Sequence, residues 1–141
     1  MSSLTLSQAN QIIAAAFAKS KELGFKPMGV VVIDDAGHIK SAQREDNATM
    51  FRIDIATGKA FAAVGMGVSS RVLFERAKDN PNFFVSLAST AGGKFLPQTG
   101  AVLIKDASGK VLGAAGASGG TGDEDELICK AGVEAAGLVA G

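Results

Sequence analysis

A chain of 141 residues supports one domain with its own core and is short for two. Hydrophobic residues make up 47% and the mean hydropathy is +0.24, yet no apolar run approaches the roughly 18 residues that a membrane span requires. Fourteen basic residues offset fourteen acidic ones and are scattered along the chain, and there is no Trp or Tyr to stack on bases, so the composition argues against a nucleic-acid partner as well as a membrane one.

The first predicted element is a helix. Thr5 and Gln8 have the spacing of a capping box, and Leu6, Ala9, Ile12, Ile13, Ala16, Phe17 and Leu23 follow at helical intervals. Gly24 stands where a left-handed C-terminal residue is wanted, and Lys19 and Lys21 complement the dipole in the last turns. A β-branched run over 28–33, the turn Asp34-Asp35-Ala36-Gly37 and a loosely alternating run over 38–45 predict a hairpin. A second hairpin is predicted from residue 100. Its segment 100–107 aligns without gaps on 29–36, which reads as two equivalent halves of one sheet.

Between the hairpins, residues 50–68 predict a helix whose only charges after Arg52 are Asp54 and Lys59. Ser69 or Ser70 is placed to cap a further helix that runs to Lys78 and stops at Asn80-Pro81. Residues 83–87 suggest one more turn, and 94–96 a short strand before Pro97. The closing helix is predicted from about Asp123, with Asp123 and Glu126 as an acidic capping box and Leu127, Ile128, Ala131, Ala135 and Leu138 as its apolar stripe. These elements predict an α+β fold, with helices packed on an antiparallel sheet of about five strands built from the two hairpins and the short strand.

Two expectations concern the setting of the chain. Cys129 is the single cysteine, and the first ten residues lack a basic stretch followed by an apolar one, so a reducing, cytoplasmic location is expected. The helix over 53–68 has too few polar groups to face water on one side while the other covers the sheet, which predicts a homo-oligomer built through that helix or through sheet edges. The alternative is that the next helix and the Phe83-Phe84 turn fold back over it.

The hairpin Asp35-Ala36-Gly37-His38 leading to Arg44-Glu45-Asp46, the helical segment Ala56-Thr57-Gly58-Lys59-Ala60, and the run from Val111 to Gly119 followed by Asp123-Glu124-Asp125-Glu126 resemble the haem-binding and haem-degrading domain family. That family is typified by GlcG and HbpS and by the C-terminal domain of PduO-type corrinoid adenosyltransferases. The resemblance covers nearly the whole chain, so that 1–141 reads as a single such domain. It departs from the usual pattern at Asn47, where Gly is usual, and at Gln98-Thr99, where Gly-Gly is usual. It implies a profilin-like or PAS-like layered sheet, assembly into oligomers, and haem or a related flat, anionic tetrapyrrole as ligand.

The candidate site residues follow from their chemistry. Lys59 shares a helical stripe with Arg52 and can hold a carboxylate, or else cover apolar surface with its stem while its ammonium reaches water. Arg44 can grip a carboxylate or form an ion pair with a nearby acid. The loop Ser118-Gly119-Gly120-Thr121-Gly122 enters a helix N-terminus, which suits an anion, although the acids after it suit a plain cap. His38 is the only imidazole; with Met50, Met66 and Cys129 it completes a weak set of axial haem ligands. Asp123, Asp125 and Glu126 offer a divalent cation only a loose cluster.

No nucleotide-binding loop, nucleophile elbow or second histidine is present. The leading expectation, which the family resemblance implies, is an oligomeric binder of haem or a similar molecule, with the Phe-rich stretch 74–95 as one wall. The alternative is an enzyme or accessory subunit acting on a small carbonyl or carboxylate metabolite in a catabolic pathway, with Lys59 as base or electrostatic stabiliser.

Overall fold

The Thr5 hydroxyl accepts a hydrogen bond from the Gln8 N–H and the Gln8 side chain accepts one from the Thr5 N–H, so the predicted capping box starts the first helix. The computed structural model describes residues 3–141. Its elements are α1 (Leu6–Glu22), β1 (Gly29–Asp34), β2 (Ile39–Arg44), α2 (Arg52–Met66), α3 (Ser70–Asp79), α4 (Pro81–Thr90), β3 (Ala101–Lys105), β4 (Val111–Ser118), α5 (Gly122–Ala135) and β5 (Val139–Ala140). All strand pairs are antiparallel, in the order β2-β1-β4-β3-β5, which makes this an α+β fold.

Alternation along the strands sends side chains to two cores. Val30, Val32, Val102 and Ile104 face α1 and α5, where they meet Ile12, Ile13, Ile128 and Val133. Val31, Ile33, Leu103 and Ala114 face the other way, against Ala56, Ala60 and Ala63 of α2. Glycines set both spacings. A Cβ at Gly116 would lie 2.3 Å from the Ala56 carbonyl oxygen, and one at Gly132 would lie 2.4 Å from that of Ile12.

Outside α2 lies a third cluster, in which Ala62 packs with Leu73 of α3, Phe84 of α4 and Phe95. The outer side of α2 is thus covered by its own chain, the alternative to covering it with a second copy. The Phe-rich stretch is mostly this cover: Phe84 and Phe95 are buried in it, and their ring centroids lie 6.1 Å apart.

Several boundaries differ from the sequence-based expectation. The fifth strand is β5, which Gly137 at φ 77° turns back along β3, and not residues 94–96. Those residues pack on α2 instead: the Leu96 N–H donates to the Gly58 carbonyl at 3.2 Å, leaving the sheet edge to the C-terminus. Residues 83–87 belong to a ten-residue helix with Pro81 in its first turn. Ser69 holds the N-cap position of α3 without a side-chain bond, while the Ser70 hydroxyl is used against β3, accepting from the Ala101 N–H at 2.8 Å.

The cap of α5 is Thr121 with Glu124, not Asp123 with Glu126, because the latter two carboxylates are turned to Arg71.

The two hairpins are equivalent, but one residue out of step with the ungapped alignment. Asp34 accepts from the N–H groups of Ala36 and His38, and Asp106 accepts from those of Ser108 and Lys110. Matching these turns pairs Val30 with Val102 and Val31 with Leu103, which face the same cores. The ungapped alignment would pair residues on opposite faces, since a one-residue slip reverses every side chain.

Candidate functional site

At the end of the sheet where β4 stops, a cavity of about 520 Å³ opens between α2, α3, the segment before β3 and the β4–α5 loop. Its size lies in the range of small-molecule sites. The first turns of α2 contribute Arg52, Ile55 and Lys59, α3 contributes Arg71 and Phe74, and Gln98 and Thr99 approach from the third side. Ser118, Gly120, Thr121, Gly122, Asp123 and Asp125 close the fourth. The fold thus brings together four of the six residues singled out as ligand contacts: Arg52, Lys59, Ser118 and Thr121.

The other two lie elsewhere. Arg44, at the end of β2, lines a separate cavity beside the C-terminus of α1, and its guanidinium donates to the Ala48 carbonyl rather than pairing with an acid. Gly119 has φ 149°, and a Cβ there would lie 2.3 Å from the Pro27 carbonyl oxygen, so its part is to let the loop pass that backbone. Nothing in the sequence patterning marks Arg71, and Gln98 and Thr99 are visible only as departures from a family pattern.

The charges inside the cavity are largely spoken for. Lys59 is buried, and its ammonium donates to Asp125 at 2.9 Å and to the Ala117 carbonyl at 3.0 Å. Neither expectation for Lys59 describes this: its stem does not run out to water, and its partner is an internal carboxylate. The other Asp125 oxygen accepts from the Gly120 N–H at 2.9 Å. Burial pushes the Asp125 carboxyl above the usual range, opposed by the Lys59 ammonium beside it. With its proton donors engaged in this way, Lys59 is not presented as a proton-abstracting base.

Arg71 bridges from α3 to α5, pairing with Glu126 at 3.1 Å and with Asp123. Hydrogen bonds to Glu126 and then Asp123 raise its pKa and hold it protonated. Three backbone N–H groups at the start of α5 are also taken, Gly120 by Asp125, Thr121 by Glu124 and Glu124 by Thr121. The loop thus spends these donors on its own cap.

Arg52 is the exception. Its guanidinium reaches a neutral partner, the Ser118 hydroxyl, at 3.2 Å, and no carboxylate lies within ion-pair distance of it among the described residues. One half-buried cation is left in the cavity to meet a ligand, with Ile55 and Phe74 as apolar walls.

The metal-binding expectations do not converge here. His38 is exposed at the β1–β2 turn, Met50 is 74% exposed, and Met66 packs beside the α2–α3–α4 cluster. Cys129 is buried, and burial pushes its thiol well above its usual range. Asp123 and Glu126 are both engaged by Arg71 and Asp125 by Lys59, and no group of three or more His, Cys, Asp or Glu suited to a metal occurs among the described residues. No helix among the described residues is long and apolar enough to cross a membrane.

Residues 4–134 match the model of a family described as haem degrading protein HbpS-like. An uncharacterized 15.0 kDa protein from the dhaT-dhaS intergenic region of Citrobacter freundii is 27% identical over 130 residues, which is 92% of this chain and 89% of that protein. Among solved structures, protein ORFY of Klebsiella pneumoniae is similar with a TM-score of 0.86 at 25% identity, over 97% of this chain and 92% of that one. A double mutant of Streptomyces reticuli HbpS gives 0.81 at 26% identity, over 95% and 87%. PduOC, solved as a heme complex, shares the fold with a TM-score of 0.85 at 24% identity, over 97% of both chains.

Proposed function

Because this chain belongs to the HbpS-like family of haem-degrading proteins, we propose that it binds haem or a related flat, anionic tetrapyrrole in the cavity beside Arg52. The observation that carries the reading is the Arg52 guanidinium, directed into the cavity with only the Ser118 hydroxyl as partner among the described residues. A propionate carboxylate can take the remaining N–H donors in a forked, charge-assisted bond. Ile55 and Phe74 supply apolar surface for a macrocycle, and Gln98, Thr99 and Thr121 supply polar contacts at the rim.

The fit is to the periphery of such a molecule and not to its iron, since among the described residues no His, Cys or Met lines the cavity, and the chain has no Tyr. The second reading drawn from the sequence, turnover of a small carbonyl or carboxylate metabolite with Lys59 as base, gains nothing from a lysine already paired with Asp125. The proposal includes a cytoplasmic location, supported by a lone free thiol, and self-association, supported by exposed apolar side chains such as Phe51.

Titration of the apo-protein with hemin, followed by absorbance, tests the reading. A saturable change is expected that weakens by about tenfold or more in Arg52→Ala, the loss of one charge-assisted hydrogen bond. Featureless, unsaturable adsorption, or equal binding by the variant, would overturn it.

A further inference from the structure

The chain is poor in groups that ligate iron, and among the described residues none of its His, Cys or Met lines the Arg52 cavity. β1 starts at Gly29, opposite Ser118 at the cavity, and runs to Asp34. His38 follows in the turn beyond it, so it lies about 20 Å away, six residues of strand at the usual rise. Cys129 is fully buried, its thiol directed to the Gly100 carbonyl at 3.7 Å and held as a thiol by burial. Met28 is fully buried in the core on the α1–α5 face. Met66 ends α2, nearly two turns beyond Lys59. The two carboxylates at the cavity, Asp123 and Asp125, are held by Arg71 and Lys59.

What the cavity does present is a cation with open donors, uncharged polar side chains at the rim and two apolar side chains. Those groups read the edge of a flat acid. A metal at the centre of the ring gains nothing from them, because a cation is repelled by a guanidinium and ignored by Ile55 and Phe74. We propose that this cavity selects a tetrapyrrole by its carboxylates and contributes no ligand to its metal, so that iron-free porphyrin is an equal ligand. The proposal rests on the assignment of a tetrapyrrole to this cavity, and it adds that recognition is independent of the metal.

Three compounds separate the contributions when titrated in parallel against the full chain: hemin, iron-free protoporphyrin IX and the dimethyl ester of that porphyrin. The expected result is that the two acids bind within about threefold of one another, while the ester is weaker by about tenfold or more. Arg52→Ala is expected to weaken both acids alike and to leave the ester unchanged. The absorbance of bound hemin is expected to be unaffected by His38→Ala or Met50→Ala, which a ligating residue would alter.

Hemin binding about thirtyfold or more tighter than the iron-free acid would overturn the proposal and leave the tetrapyrrole assignment standing. An ester that binds as well as the acid would overturn it too, by removing the carboxylates from recognition. Failure of both acids to bind would remove the assignment itself, and the proposal with it.

Discussion

The Lys59 ammonium and the Asp125 carboxylate lie 2.9 Å apart with almost no solvent on either side chain, 6% and 2% exposed respectively. A buried pair of this kind adds little net stability when intact, since desolvation offsets attraction, but removing one partner strands the other. Lys59→Met is therefore expected to cost about 3–5 kcal/mol, measured by urea unfolding. Asp125→Asn in the same chain should recover most of that loss, because the amide oxygen still accepts from Gly120 without a buried charge. The single variant should also regain stability on acidification. Without the ammonium, burial raises the Asp125 pKa further, and a group with a raised folded pKa stabilises below that value and loses the contribution as pH rises through it. A Lys59→Met variant as stable as the parent at neutral pH would show that the pair carries no structural load.

At the scale of elements, the two hairpin turns are built by one device, a single aspartate oxygen that takes the N–H groups two and four residues on. In the first turn the bond from the His38 backbone, ahead of that from Ala36, lowers the Asp34 pKa below its usual 3.8. A carboxylate depressed in the folded state stabilises the fold above its unfolded pKa and stops doing so as pH falls through the folded value. The stability gap between the parent chain and Asp34→Ala should therefore be full at neutral pH and close well below 3.8. Asp34→Asn keeps the acceptor oxygen and should show a smaller gap, without that titration. Denaturant curves for the three proteins at neutral and acid pH provide the measurement, and a pH-independent gap for Asp34→Ala would rule the turn out as its source.

At the scale of the whole molecule, α3, α4 and the residues after them cover the outer side of α2, so that helix no longer supplies a reason to associate. The expectation of a homo-oligomer rests instead on side chains left in solvent: Ile39 on the edge strand β2, Met50 and Phe51 before α2, and Phe83 and Val85 on α4, from 49% to 74% exposed. Sedimentation velocity at micromolar concentration is expected to show a species heavier than the 14.2 kDa chain, and a single monomeric boundary would remove the expectation.

The sequence by itself determined the elements whose signals are local. The Thr5–Gln8 box, the β-branched run before the Asp34 turn and the small-residue helix around Lys59 each depend on neighbours a few residues away, and α1, the first hairpin and α2 formed where those signals stood. The family was legible for the same reason, being written in short contiguous runs. Only the tertiary structure decided which face each half of the sheet presents, that β5 and not residues 94–96 completes it, and which charges remain free. Arg44, Arg52, Lys59 and Arg71 are equivalent cations on paper. Lys59 and Arg71 pair with carboxylates more than 50 residues away, Arg44 donates to a backbone carbonyl four residues on, and Arg52 reaches the Ser118 hydroxyl across the cavity. The electrostatics that single out Arg52 come from long-range packing, which no local pattern encodes.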